Sequence, residues 1–390
     1  MDVFEESLKR HYDLQGKIEV VSRASIDSME DLALAYSPGV AQPCRVIDQD
    51  PDQSYALTRR QHLVAVVTNG TAVLGLGNIG PLAAMPVMEG KCALFKRFAE
   101  VDAFPICVDS EDVDEVVDTI ARISKSFGGI NLEDIAAPAC FEIEEKLKAR
   151  CDVPVFHDDQ HGTAIVVAAA LLNAVKLTHK TMGQLKLVIN GAGAAGIAIA
   201  KLLLQMGFGQ IIMVDRQGIL NREDTHLDSA KQAIAQVTNP EGLTGDLSVA
   251  IKGADVFIGV SAPKVVSQAM IRSMNDQAIV FAMANPVPEI MPEDALEAGA
   301  AIVGTGRSDY PNQINNVLAF PGIFKGVLAV RAREVTDGMK ESAARAIASL
   351  IPEEDLKAEA IIVNALDDRV ADVVAKAVAD QAIKEGVSRH

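Results

Sequence analysis

Two patterning regimes divide the chain. From residue 57 to about 109 short apolar runs alternate with turn signals: Leu63–Val67 reads as a strand, Asn69-Gly70 as a tight hairpin turn, and Ala72–Leu74 as the returning strand. Phe104–Val108 is a further strand, and the acidic stretch from Ser110 to Thr119 begins a helix. Val153–Phe156 is a short strand running into the polar cluster His157–Gly162, after which an apolar helix is expected from Thr163 to about Leu177. Beyond it strand and helix alternate. Strands are predicted at Lys186–Asn190, Ile211–Asp215, Val256–Val260, Ala278–Ala284 and Ile302–Gly304, with helices at Ala194–Met206, about Asp228–Val237 and near Ser267–Met274. Such alternation predicts a parallel, doubly wound sheet. The stretch from Phe324 to His390 is Ala-rich and helix-forming. The fold class is therefore α/β: an N-terminal α/β domain over residues 1–160, then a sheet domain with C-terminal helices over 161–390.

Composition narrows the class. With 49% apolar and 23% charged residues in 390, the chain is ordinary globular material and not disordered, collagenous or coiled-coil. The longest wholly apolar run, Ala164–Leu172, is well short of the roughly 20 residues that span a bilayer. The first residues are acidic and carry no basic flank before an apolar run, so no secretory signal is expected. A net charge of −17 repels nucleic acid and anionic membranes, and neither is expected as a partner. It also means that an anionic substrate must be drawn in by a local cation. Five cysteines without a C-x-x-C read as reduced thiols of a cytoplasmic protein.

A glycine-x-glycine-x-x-glycine spacing occurs twice, and the copies are unequal. Gly75–Gly80 follows the hairpin-like segment, is succeeded by Pro81, and has no acid at the end of a later apolar strand; it reads as a tight turn or substrate-site loop. Gly191-Ala192-Gly193-Ala194-Ala195-Gly196 directly follows the strand Leu187–Ile189 and opens a helix. In a Rossmann-type unit Gly191 makes the turn and Gly193 lets backbone approach a pyrophosphate. Gly196 packs helix on strand, and the helix N-terminus offers free N–H groups to the anion. Asp215 ends the next apolar strand, roughly 20 residues on, where a carboxylate accepts from ribose hydroxyls. NAD is the expected cofactor. Arg216, a possible partner for a 2′-phosphate, keeps NADP open.

Two dense acidic sites remain, Asn131-Leu132-Glu133-Asp134 and His157-Asp158-Asp159-Gln160-His161, both expected at helix beginnings. Taken alone each reads first as a cap: Asn131 with Asp134 as capping partner, or Asp159 capping the Thr163 helix. Taken together their carboxylates suit a hard divalent cation, Mg²⁺ or Mn²⁺, while the histidines are too few for zinc and read as surface or supporting groups. Lys91, set among apolar residues, would act as a base if its pKa were lowered. Tyr36 is equally a core tyrosine or a functional one.

These segments, in order and across nearly the whole chain, resemble the malic enzyme family. Ala35–Ala41 resembles its tyrosine motif, and Gly75–Gly80 with Pro86–Lys91 its lysine motif. Asn131–Asp134 and His157–Ala164 resemble its two metal-ligand motifs. Asn285-Pro286, Gln313–Val317 and Phe320-Pro321-Gly322 resemble its asparagine motifs. The resemblance implies oxidative decarboxylation of (S)-malate to pyruvate and CO₂ with reduction of NAD(P), dependent on Mn²⁺ or Mg²⁺. It makes Lys91 the general base, Tyr36 the general acid and Asp158 a catalytic neighbour of the metal site. Glu133, Asp134 and Asp159 become the metal ligands, and Asn285, Asn315 and Asn316 join Lys91 in holding substrate. Ser261 and Asn285 join the glycine loop, Asp215 and Arg216 at the cofactor. Similarity to the short bacterial-type members implies a homodimer. The arginine that clamps a malate carboxylate in larger members has no counterpart in Asn69–Ala72, which leaves Lys96, Arg97 or a residue of another subunit for that role.

Three other readings compete. A malolactic-type decarboxylase would keep NAD bound and release lactate. A two-domain amino-acid dehydrogenase would have no use for the acidic triad. An NAD-binding regulatory module would use the acids only as helix caps and turn nothing over.

Overall fold

The computed structural model describes residues 3–389. In the N-terminal unit β1 (Leu63–Thr68), β2 (Asp102–Cys107), β3 (Gly129–Leu132) and β4 (Val155–His157) form a parallel sheet in the order β2-β1-β3-β4. The side chains of β1 alternate between two cores. Val64 and Val66 pack with Met88 and Phe95 of the helix Gly80–Ala99, whereas Ala65 and Val67 face Val117 and Ile143 on the other side. Both faces being covered, the strand is apolar throughout, as parallel sheets require.

The predicted hairpin at Asn69-Gly70 does not form. β1 already has parallel neighbours on both edges, so no returning strand can pair with it. Residues 69–80 instead fold as a loop, with Val73 bridged to Gly77 and the backbones of Ile79 and Gly80 bonded to Gly70. Gly70 has a φ of +72°, and a side chain there would collide with the Gly80 carbonyl. Gly75–Gly80 is thus a turn loop, as read.

The second sheet comprises β5 (Lys186–Asn190), β6 (Gln210–Asp215), β7 (Gly218–Ile219), β8 (Val256–Gly259), β9 (Ile279–Ala282) and β10 (Ile302–Thr305). Its order is β10-β9-β8-β5-β6-β7, parallel but for β7. The order in which strands are added reverses at β5, which lies between β6 and β8, and ligands of such sheets bind beyond the strand ends at that point.

The helix Asp158–Leu177 links the two sheets. It is long and apolar enough to cross a membrane, yet it is core: its side chains from Ala164 to Leu171 are buried in a cluster shared with both sheets and with the C-terminal helices Phe320–Ala329, Asp337–Ala348 and Val370–Lys384. The N-terminal arm is the opposite. None of residues 3–54 is buried, and Phe4, Leu8, Tyr12, Val20, Met29 and Leu34 are all more than half exposed.

Candidate active site

The acidic residues sit at strand ends. Glu133 and Asp134 directly follow β3, and Asp158 and Asp159 form the first helical turn after β4. This corrects the helix-cap expectations. Asn131 lies inside β3, wholly buried, and donates to Glu133 Oε2 at 2.9 Å; the next helix begins only at Ala139. The apolar helix starts at Asp158 and not Thr163, with His157 as its N-cap, because acidic side chains are favoured beside the unpaired N–H groups of a first turn.

Asp134 has a left-handed φ of +53°, uncommon for a residue with a side chain and held by its surroundings. Its carbonyl accepts from Ala72 N, its own N–H donates to Asp159 Oδ2 at 2.8 Å, and Thr71 Oγ1 accepts from Ala136 N at 2.9 Å. The 69–72 loop therefore fastens the acid in place. One oxygen from each of Glu133, Asp134 and Asp159 lies within 4.8 Å of the others. Asp134 Oδ2 and Asp158 Oδ1 are buried with no hydrogen-bond partner. The unpartnered buried oxygen of Asp134, set close to carboxylate oxygens of Glu133 and Asp159, is what a hard cation satisfies, so the residues fit Mg²⁺ or Mn²⁺.

Lys91, from the helix Gly80–Ala99, enters this cluster. Its Nζ lies 2.6 Å from Asp158 Oδ2, 2.8 Å from Glu133 Oε1 and 4.2 Å from the Phe320 ring centre. Burial alone would lower its pKa, but the two carboxylates outweigh burial and raise it. The lowered pKa expected from sequence is corrected: without a cation the ammonium is held charged. Burial, with repulsion from neighbouring acids, raises Glu133 and pushes Asp134 to about 8. Asp158 is raised to about 7 and Asp159 to about 6, burial again prevailing over the pull of Lys91.

Of the asparagines, Asn316 donates to Asp158 Oδ2 at 2.6 Å, whereas Asn315 Oδ1 accepts from Val317 N and caps the short turn Asn316–Leu318. Asn285 follows β9, between Gly75 and Gly306, at each of which a Cβ would press on it. Tyr36 is not brought to Lys91: it ends the helix Met29–Ala35 on the arm, 70% exposed. Lys96 and Arg97 pair at the surface with Asp102 and Asp368, each 61% exposed, so neither joins the acidic cluster. His157 and His161 are not surface groups; His157 is wholly buried, and His161 bonds the buried Glu144 at 2.8 Å behind the first turn.

A cleft of about 730 Å³ runs from Ala137, Pro138 and Phe141, just past the acids, to Asp215, Arg216 and Gln217. The glycine loop lines it. Gly191 has a φ of +120° against Val260, and a side chain on Gly196 would collide with Gly191 O. A Cβ on Gly193 would meet nothing within 4 Å, which leaves the unpaired N–H groups of the helix Ala194–Gln205 open to an anion. Ala192 lines the cleft with them, and Ala195 lies in the helix's first turn. The cradle fits a dinucleotide. Asp215 accepts from Gln217 N at 2.8 Å and pairs with Lys231 at 2.6 Å, which holds its pKa low against the effect of burial. Ser261 lines the same cleft. Lys231 escaped the sequence reading because its place beside Asp215 depends on how the helix Ser229–Ala235 packs, and no motif marks it.

Comparison with known proteins agrees across the chain. Residues 15–148 match the malic enzyme N-terminal domain, and residues 160–383 its NAD binding domain. The chain is 55% identical to the bifunctional malic/malolactic enzyme of Bacillus subtilis (strain 168), over 100% of this chain and 95% of that one. It is 54% identical to the NAD-dependent malic enzyme of Geobacillus stearothermophilus, over 96% and 78% respectively. The crystal structure of the NAD-dependent malic enzyme from Thermotoga maritima superposes with a TM-score of 0.93 at 49% identity, covering 97% of this chain and 99% of that one. On the strength of both domain matches and these full-length likenesses, the chain belongs to the malic enzyme family.

Proposed function

We propose that Lys91 and Asp158 carry the proton chemistry of malate oxidation, that Glu133, Asp134 and Asp159 hold the divalent cation, and that Tyr36 serves as general acid. The reaction is that of the family: malate is oxidatively decarboxylated to pyruvate and CO₂ with reduction of NAD or NADP. The observation that carries the assignment is the acidic triad, two of its three members buried, abutting the Lys91–Asp158 pair.

A cation at the triad would offset the carboxylate charge that holds Lys91 protonated, and Lys91, once neutral, would take the proton of the C2 hydroxyl at Nζ as C2 is oxidised. Asp158, 2.6 Å away, is placed to share that proton. Asn316 fixes the Asp158 carboxylate, while Asn285 and Asn315 would hold the substrate. A bound Mg²⁺ or Mn²⁺ supplies Lewis-acid stabilisation of the carbonyl and enolate oxygens. Tyr36 then delivers a proton to C3.

Gly191, Gly193, Gly196, Ser261 and Asp215 receive the dinucleotide. NAD is the proposed preference because Asp215 faces the cleft as a carboxylate; Arg216 and Lys231 beside it leave NADP usable. The exposed apolar arm supports a homodimer in which a second copy covers it and brings Tyr36, together with the partner for the malate carboxylate, to Lys91. Five unpaired cysteines suit a cytoplasmic location.

The test is turnover of malate with Mn²⁺ and either NAD or NADP, following nicotinamide absorbance and pyruvate with and without chelator. Metal-independent activity would sink the reading. The name of the Bacillus subtilis relative supports a second activity, and lactate formation without net NADH release would reveal it.

A further inference from the structure

Glu289 is wholly buried, and among the described residues no basic side chain forms an ion pair with it. Its burial raises its pKa, and hydrogen bonds from Ser261, Ala284 and its own backbone oppose that rise. Oε1 accepts from Ser261 N at 2.8 Å and from Ser261 Oγ at 3.4 Å, and Oε2 accepts from Ala284 N at 3.0 Å. Ser261 Oγ in turn accepts from Asn190 Nδ2 at 2.7 Å. Asn190 ends β5, Ser261 lies just past β8, and Ala284 lies between β9 and Asn285. One carboxylate thus ties the ends of three adjacent parallel strands at the point where ligands of such sheets bind.

The main chain repeats the link. Val266 N donates to the Glu289 carbonyl and Lys264 N to the Pro288 carbonyl, both at 3.0 Å, so main chain as well as side chain joins residues 261–266 to 284–289. Gly259 leaves the passage for the carboxylate, since a Cβ there would collide with Glu289 Cδ.

An unpaired buried charge is costly, and an amide or an apolar side chain would be cheaper unless both atoms had to accept. Here both do. A glutamine would turn its NH₂ toward one of two N–H groups and leave that pair mutually unsatisfied.

We infer that Glu289 is a positioning residue for hydride transfer, setting the cofactor-side loop at Ser261 against the substrate-side Asn285. The inference rests on the malate-oxidising reading above. Glu289 touches none of the metal carboxylates, so its effect is confined to the relative placement of cofactor and substrate.

The test is Glu289→Gln, with Gly259→Ala as a second variant that displaces the carboxylate without removing it. Both should lower kcat/KM for malate by about 100-fold, the scale of an ångström's misplacement. Both should also raise the primary isotope effect with C2-deuterated malate and weaken NADH binding measured by its fluorescence. Mn²⁺ affinity by electron paramagnetic resonance should stay within about twofold of the parent. An unchanged isotope effect with kcat/KM near the parent value would overturn the inference. So would an equal collapse of Mn²⁺ affinity and thermal midpoint, the mark of a merely structural role. If Glu289→Gln does not fold, the Gly259→Ala result decides. If the parent protein oxidises no malate, the functional reading fails on its own, and the tie is then judged by NADH binding in the variants.

Discussion

The backbone N–H of Asp134 donates to Asp159 Oδ2 at 2.8 Å, joining an acid from the end of β3 to one from the helix after β4. The two segments of the triad are thereby locked before any cation arrives. Asp159→Asn keeps an acceptor for that N–H and removes the charge. We expect Mn²⁺ affinity to fall by more than the about 10–100-fold typical of losing an outer partner of a metal ligand, with the fold intact. A Mn²⁺ titration alongside circular dichroism checks it.

Metal-free protein should lose stability as pH rises. Asp134, Asp158 and Asp159 are raised to about 8, 7 and 6. Between their unfolded values near 4 and these folded values the native state binds more protons than the unfolded one. The slope of unfolding free energy with pH is then negative. With EDTA the thermal midpoint should rise as pH falls from about 8 towards 6. Saturating Mn²⁺, which competes with those protons, should stabilise most at the alkaline end. A flat midpoint across that window in EDTA would refute the account.

Much of this site was legible from spacing, and what was not has a physical cause. The cofactor strand, glycine loop and Asp215 are local features whose meaning lies in consecutive residues, and β5, β6 and the cleft lie where the pattern predicted. Asn69-Gly70 misled because a turn dipeptide reports a reversal and not what pairs afterwards; the neighbours of β1 come from Asp102–Cys107 and Gly129–Leu132, far along the chain. β3 went unread because four residues, Gly129–Leu132, are too short to show a period. The Lys91 shift depends on charges 42 and 67 residues away in sequence, which no local reading weighs. Glu289 left one faint mark, an acid between Pro288 and Ile290.

Lys91→Ala removes the ammonium that pairs with the buried carboxylates Asp158 and Glu133. Removing one partner of a buried pair costs about 3–5 kcal/mol, so the metal-free variant should melt well below the parent, and Mn²⁺ should recover part of the loss. Malate oxidation should fall by at least about 100–10,000-fold, the share of general base catalysis, while NADH still binds. Parent-like turnover would strip Lys91 of its role.

Coenzyme choice should follow the strand end. Asp215 is held between Gln217 N and Lys231. Asp215→Ala removes the ribose acceptor and frees the lysine, so KM for NAD should rise and the NAD-to-NADP ratio of kcat/KM should fall by about tenfold or more, the worth of one charge-assisted bond. A ratio unmoved by the substitution would place discrimination elsewhere.

Tyr36 is 70% exposed on the arm whereas Lys91 is buried, and the proposal that a second copy brings the acid to the base can be tested directly. Tyr36→Phe alone should slow pyruvate formation while largely sparing NADH binding, and Lys91→Ala alone should be inactive. Unfolding and refolding the two inactive or slowed variants together makes mixed dimers. If each site takes Tyr36 from one copy and Lys91 from the other, a mixed dimer holds one site with both residues intact and one with neither. Random pairing yields about half mixed dimers, each with half its sites restored, so about a quarter of parent activity should return. If both residues served the same site from the same copy, no mixed dimer would hold an intact pair, and mixing would give only the average of the two variants.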